Sequence, residues 1–474
     1  MENNIEKILN VGQDLLRENN YENAKSYFQT ILKIDSNNYF ACEAMLKISC
    51  MLGDYNDLCF YANKLFLQNK ISFVIKYLYE QLIEFKKVLN LKKIKIIIYV
   101  LNKYIESIED ASIKNIVLNE LEIIEKRVIL KSFPRMLTVS LTSDCNIRCK
   151  MCHIPQKCWV FPDKKIEEIV SFMPKIQTIL WHGGEPFFYN KIDILINEAK
   201  KYNLGQIIST NGLLLDDKRI EQIMSSNMEI NFSVHGLTKD VYEKIHCGGN
   251  FDKLINNLKK FKNFKDKTNS NIKYGIKFLI MKSNYKQFMN LYDFVKEFGF
   301  NHVYINTLGE ETCIDENLLF HENKREVFKY ISDISEELKF KFKEDNIFYE
   351  AWLPKCNDID KKVENNKIDN NDNKTKFGCN KKCDTKIFEK EKKFCCYIPW
   401  QSLYIDAGGY VRNGCFCNDI ILGNINENSL EEIWNNEQQL SIRKNIINNG
   451  FDNKCSIDCR NGRILETFLK NPVL

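Results

Sequence analysis

The chain has 474 residues, room for about three domains because a single core rarely grows past ~250–300 residues. Its 44% hydrophobic and 28% charged residues are ordinary for a globular protein, and a net charge of +5 is too mild for a dedicated nucleic-acid binder. The opening MENNIEKILN is polar and no apolar run approaches ~18 residues, which excludes a secretory signal and a membrane span and leaves a cytoplasmic location as the expectation.

Residues 1–130 read as helices. The stretch Asn20 to Tyr27 recurs 34 residues later as Asp54 to Tyr61, with Tyr21 matching Tyr55, Tyr27 matching Tyr61, and Ile31–Leu32 matching Leu65–Phe66. Gly12 and Ala24 stand where small residues let two helices of a hairpin approach. This period and pattern resemble tetratricopeptide repeats. Leu46 replaces the small residue in the second copy and the usual proline after the second helix is missing, so a plain helical bundle is the other reading. The repeat fades from about 72 to 130, as a capping unit would. Because such units contact mainly their own neighbours, residues 1–130 are expected to be removable without loss of the downstream domains.

From Met136 the pattern changes. Short apolar runs predict strands at 137–141, 178–181, 206–209, 229–234, 272–281 and 302–306, with helices such as 216–225 and 251–264 between them. Strand–helix alternation with nearly continuous apolar strands implies parallel β/α units, and six of them fit an incomplete relative of the β/α barrel over residues 131–354. Residues 355–378 contain KKVENNKIDNNDNKTK and read as a low-complexity linker. A cysteine-dense tail, 379–474, comes next, with a hairpin signal at Leu403–Ile405, Gly408–Gly409 and Tyr410–Arg412.

Eighteen cysteines in a chain expected to stay reduced read as metal or redox ligands rather than disulfides. Soft thiolates select zinc or iron–sulfur clusters. Cys145, Cys149 and Cys152 come after the first predicted strand with CxxxCxxC spacing. Three thiolates in one loop can bind three irons of a cubane and leave the fourth open to a substrate or cofactor. A zinc site completed by His153 or Cys158 is the alternative. Placement after a barrel strand is where β/α-barrel chemistry sits.

A second segment, Trp181-His182-Gly183-Gly184-Glu185-Pro186, ends the second strand. Together with CxxxCxxC after the first strand it resembles the radical S-adenosylmethionine (SAM) enzymes over residues 136 to about 310. The resemblance implies a [4Fe–4S] cluster on the three cysteines and a partial (β/α)6 barrel. It also implies a grip on the amino group of SAM by Gly183, Gly184 and Glu185. Ser209-Thr210-Asn211-Gly212 is similar to the family's turn after the third strand and brings in Asn211. Ser233 would lie near the SAM ribose, and Met151 stands where relatives carry an aromatic residue against adenine. His235 replaces the aspartate common after Ser233, which points to a structural histidine. The implied chemistry is reductive cleavage of SAM to a 5′-deoxyadenosyl radical that abstracts a substrate hydrogen, fed by a reductant such as flavodoxin or ferredoxin. The catalytic acid or base stays unassigned.

The tail resembles the SPASM/twitch extension that holds auxiliary iron–sulfur clusters. That resemblance implies an auxiliary [4Fe–4S] cluster on Cys396, Cys415, Cys455 and Cys459, with Cys395 and Cys417 as alternative ligands and Cys379 and Cys383 available for a second site. The hairpin spacing from Gly409 to Cys415 is one residue longer than the family's, and a structural zinc ribbon is the other reading. The expected class is therefore α/β: an all-α repeat domain, a partial barrel and a small Cys-rich α+β domain. The expected substrate is a peptide or protein side chain. A small molecule such as a sugar or alcohol, and an adaptor built on a vestigial barrel, are the competing readings; no nucleic-acid or membrane partner is expected.

Overall fold

The apolar runs between residues 136 and 307 form the strands the sequence predicts, each with at least one buried face and with helices between them. The computed structural model describes residues 2–88, 90–154, 158–309, 313, 315–354, 396–414, 417, 420–450, 452 and 455. The linker expected at 355–378 lies outside them. Strands are numbered in chain order: β1 Met136–Thr142, β2 Arg148–Cys149, β3 Thr178–Gly183, β4 Gly205–Thr210, β5 Met228–Ser233, β6 His246–Cys247, β7 Lys273–Ile280, β8 His302–Thr307, β9 Phe348–Trp352, β10 Ser402–Ile405, β11 Tyr410–Arg412 and β12 Gly423–Asn424. The main sheet has the order β12-β11-β10-β1-β3-β4-β5-β7-β8-β9. From β10 through β9 every neighbouring pair is parallel.

Six of these strands, β1, β3, β4, β5, β7 and β8, are the partial barrel, and helices such as Asp217–Met224 and Phe251–Thr268 cross between them. The C-terminal segment extends the same sheet. β10 lies alongside β1 in the register Met136↔Ser402 to Val139↔Ile405. It then turns back into β11, as the hairpin signal predicts, with Tyr404 opposite Arg412. Asp406 sets the turn: its Oδ1 accepts the Gly408 and Tyr410 N–H groups at 3.0 and 2.9 Å, and its other oxygen pairs with Arg412. One hydrophobic core runs from Trp181 and Ile230 of the barrel to Trp400, Leu403 and Trp434 of this segment.

Seven helices precede the barrel, from α1 Glu2–Arg17 and α2 Tyr21–Ile34 through α3 Tyr39–Leu52, α4 Tyr55–Leu67, α5 Ile71–Lys87 and α6 Leu91–Lys103 to α7 Ala111–Ile124. Polar N-caps start several of them: Asn38, Asp54, Asn90 and Asp110 each accept a backbone N–H three residues on. Gly12 is needed where α1 meets α2, since a Cβ there would lie 2.8 Å from the Phe28 ring. These helices bury a second core, including Phe28, Leu46, Leu58 and Val117.

The last helix faces both ways. Val117 and Leu121 join the helical core, while the polar side chains of α7 hold the strand leading into β1. Asn119 Nδ2 donates to the Trp400 carbonyl at 2.7 Å and to Ser132 Oγ at 2.9 Å. Glu122 accepts the Lys131 N–H at 2.6 Å, and Asn115 accepts the Phe133 N–H at 2.7 Å. Glu120 pairs with the buried Arg135 and with Lys86 of α5. From the other side Trp400, Trp434 and Arg443 donate to the carbonyls of Arg127, Ser132 and Val128. The segment 127–135 is thus clamped between α7 and the C-terminal residues.

Candidate active site

β1 runs out at Thr142 into the loop of Cys145, Cys149 and Cys152. The chain comes back along β1 after the cysteines, with Ser143 N–H on the Trp159 carbonyl and Phe161 N–H on the Leu141 carbonyl, both at 2.8 Å. Cys145 and Cys149 are half-buried and Cys152 is exposed. Burial raises the Cys145 thiol, and it pushes the Cys149 thiol up to about 12 with help from its neighbours Cys152 and Cys145. Thiols so placed ionise only beside cations, so a cluster of iron ions suits this donor set.

Gly183 and Gly184 lie flush against that loop. Gly184 N–H donates to the Thr142 carbonyl at 2.7 Å and Glu185 N–H to the Asp144 carbonyl at 3.0 Å. A Cβ on Gly183 would sit 2.3 Å from the Thr142 oxygen, and one on Gly184 2.2 Å from the Asp144 oxygen; Gly183 also holds a φ of +132°. Both glycines are therefore required by the backbone approach itself.

Glu185 is 1% exposed. Its carboxylate accepts Thr210 Oγ1 at 2.8 Å, Asn211 N–H at 2.8 Å and Phe187 N–H at 3.2 Å. Burial outweighs these donors and pushes the carboxyl up to about 7. Asn211 reaches the other way: its Nδ2 donates to Asn146 Oδ1 at 2.8 Å and lies 3.7 Å from Cys145 Sγ. The loops after β1, β3 and β4 are knitted together through Cys145, Gly183 to Glu185 and Asn211.

Ser233 ends β5, half-buried, in register with Lys277 of β7. Met151 packs with Ile245, Met281 and Leu308 at the ends of β7 and β8. His235 is buried, and its Nδ1 accepts the Leu279 N–H at 3.1 Å, which joins the β5 end to β7. Cys396 is half-buried just before β10, and Cys455 is half-buried after the helix Glu437–Asn449. Cys415 and Cys459 lie outside the described residues.

Two residues beside the cysteines have no motif to announce them. His246 and Tyr242 come from the stretch after β5. The two-residue ribbon β2–β6 brings His246 opposite Cys149, and Tyr242 stacks on the His246 ring.

Residues 139–295 match the family model of the Radical SAM superfamily, and residues 395–460 match SPASM, an iron–sulfur cluster-binding domain. The chain is 23% identical over 241 residues to a probable GTP 3′,8-cyclase of Sulfurisphaera tokodaii, covering 47% of this chain and 74% of that protein. It is 30% identical over 135 residues to the GTP 3′,8-cyclase of Clostridium botulinum, covering 26% of this chain and less than half, 42%, of that relative. Streptococcus suis SuiB bound to S-adenosylmethionine shares the fold, with a TM-score of 0.50 at 18% identity over 79% of this chain and 80% of that one. No helix among the described residues is long and apolar enough to cross a membrane. The chain thus joins a radical SAM core to a SPASM domain, and it is a radical SAM enzyme whose cofactors are a [4Fe–4S] cluster, SAM and an auxiliary iron–sulfur cluster.

Proposed function

We propose that this enzyme modifies a side chain of a peptide or protein. The observation that carries the reading is the union of a SPASM domain with a radical SAM core in one sheet, preceded by helices able to grip a polypeptide. The small-molecule reading rests on the GTP 3′,8-cyclases, but the first of these likenesses covers only 47% of the chain and leaves the rest without a use. The adaptor reading falls with the enzymatic assignment.

In this reading Cys145, Cys149 and Cys152 hold the SAM-binding cluster. When loaded, cluster and SAM supply the one-electron cleavage that yields a 5′-deoxyadenosyl radical. Gly183, Gly184 and Glu185 hold the amino group, Asn211 ties their loop to Cys145, Ser233 faces the ribose, and Met151 supplies a pliable surface for adenine. Cys396, Cys415, Cys455 and Cys459 ligate the auxiliary cluster, and a small redox protein such as flavodoxin or ferredoxin delivers electrons. Residues 1–130, 131–354 and 379–474 are the working units, joined by 355–378.

The test is anaerobic incubation of the reconstituted enzyme with SAM, dithionite and either GTP or the short peptides encoded beside its gene. Release of 5′-deoxyadenosine together with a mass change in one peptide is expected. Conversion of GTP with every peptide unchanged would replace this reading by the small-molecule one.

The role of Glu185 gives a pH test. Its carboxyl, pushed up to about 7, must lose a proton to meet an ammonium. Between about pH 7 and pH 5 the α-amino group of SAM stays charged, so the SAM dissociation constant should rise about tenfold per unit as pH falls. Glu185→Gln should flatten that profile and weaken binding by roughly 1.5–3 kcal/mol, the worth of a charge-assisted hydrogen bond, with iron content kept. Titration calorimetry across pH reads both; a wild-type profile as flat as the variant's removes Glu185 from the amino-group site.

A further inference from the structure

The cluster loop is tied to the rest of the barrel by a ribbon of two residues on each side, Arg148 opposite Cys247 and Cys149 opposite His246. The pairing continues one residue on, where Lys150 N–H donates to the Ile245 carbonyl at 3.0 Å. His246 is 1% exposed. Its ring is held at both nitrogens. Nε2 lies 3.1 Å from the His235 backbone N–H, which can only donate, so Nε2 carries the lone pair. The neutral ring then has its hydrogen on Nδ1, and Nδ1 lies 3.2 Å from Cys149 Sγ. The backbone N–H of His235 thus fixes the tautomer, in the way an outer partner fixes a metal-bound histidine.

Packing holds the ring in that position. It is stacked with His235 at 5.0 Å between centroids and 18° between planes, and with Tyr242 at 4.4 Å and 24°. Gly236 lets the helix Lys239–Ile245 close on the strand end, since a Cβ there would sit 2.5 Å from the Tyr242 backbone nitrogen. His235 and Tyr242 flank the His246 ring and hold it in place.

We propose that His246 is a positioning residue for the SAM-binding cluster: its Nδ1–H donates a hydrogen bond to the Cys149 sulfur and thereby sets the reduction potential of the cluster. The inference rests on the reading that Cys149 is a cluster ligand. A cluster gains negative charge on its sulfurs when reduced, so a donor aimed at a ligand sulfur stabilises the reduced form and raises the potential. The His246 ring itself is screened from water by the stack, which strengthens its hydrogen bond. The sequence departure at His235 acquires a use here, because its ring supports the stack.

Two isosteres separate the hydrogen bond from the packing. His246→Asn puts an amide N–H near the Nδ1 position and keeps the donor to sulfur. His246→Gln puts its amide near Nε2, keeps the tie to the His235 N–H and loses the donor. The midpoint potential of the SAM-binding cluster is measured by an EPR-monitored redox titration of reconstituted full-length protein, with iron content checked in each sample. The Gln variant is expected to shift to a more negative potential while the Asn variant stays near wild type. An unshifted Gln variant with full iron, or equal shifts in both, overturns the proposal. Should both variants fail to assemble, wild-type protein labelled with 15N-histidine decides: pulsed EPR of the reduced cluster should show a histidine 15N coupling, and its absence overturns the proposal. A wild type whose EPR signal SAM does not perturb would instead sink the ligand reading itself.

Discussion

Replacing Cys145, Cys149 and Cys152 together with alanine is expected to abolish SAM cleavage and remove about half the iron. Two [4Fe–4S] clusters bind about eight irons, and the variant should keep about four, in the SPASM domain. The loss should be complete for the SAM-responsive EPR component if, as proposed, each thiol holds a different corner of the cubane, since the loop offers no substitute at the same spacing. The fold should survive. Cys145 and Cys149 are only half-buried and Cys152 is exposed, so their truncation opens no core cavity. Iron and sulfide assays, EPR with and without SAM, and 5′-deoxyadenosine release read the three outcomes. Wild-type protein that takes zinc and no iron on anaerobic reconstitution would remove the cluster reading altogether.

Deleting residues 1–130 is expected to give insoluble protein, whereas deleting 1–104 should leave a barrel that still assembles its first cluster. The repeat-like pattern of the N-terminus points to a removable unit ending near 130, but the polar side of α7 belongs to the barrel. Removing α7 takes away Glu120, the carboxylate that pairs with Arg135, and uncovers a guanidinium that is 1% exposed in the full chain. Losing Asn115, Asn119 and Glu122 hands their partners along 131–133 and at the Trp400 carbonyl to water, so the segment entering β1 loses the contacts that order it. A cut at 104 keeps Asp110, the N-cap of α7, and every contact of that helix with 131–135. It exposes Val117 and Leu121, whose partners leave with the deleted core. Soluble expression and iron content compare the two. Equal, intact cluster assembly in both truncations would show that α7 does not support the barrel.

The barrel was legible because its strands are short apolar runs with at least one buried face, and because each motif sits at a strand end. CxxxCxxC, the glycine pair and the Asn211 turn all come within a few residues of a strand, so local sequence suffices to order them. β9 escaped: Phe348-Tyr349-Glu350-Ala351-Trp352 is an edge strand with a charged centre, and edge strands need no continuous apolar run. The partnership of β10 with β1 was also out of reach. Nothing in Leu403–Ile405 says which strand, more than 250 residues earlier, will lie beside it. The polar side of α7 carries no sequence signal of its burial, although Asn119 and Glu122 are fully buried. His246 left no trace in the pattern, because a two-residue strand has no periodicity.

The parallel pairing of β10 with β1 also gives the molecule a polarity. Cys145 lies beyond the C-terminal end of β1, and Cys396 lies before the N-terminal end of β10. Two parallel strands in register start together and finish together, so these cysteines flank opposite rims of the barrel. The seven residues of β1 span roughly 20 Å at about 3.3 Å each. A group held at Cys396 would therefore be separated from one held at Cys145 by about the length of this strand pair. The spacing between the two cysteine-bearing ends is thus set by one in-register pair of parallel strands.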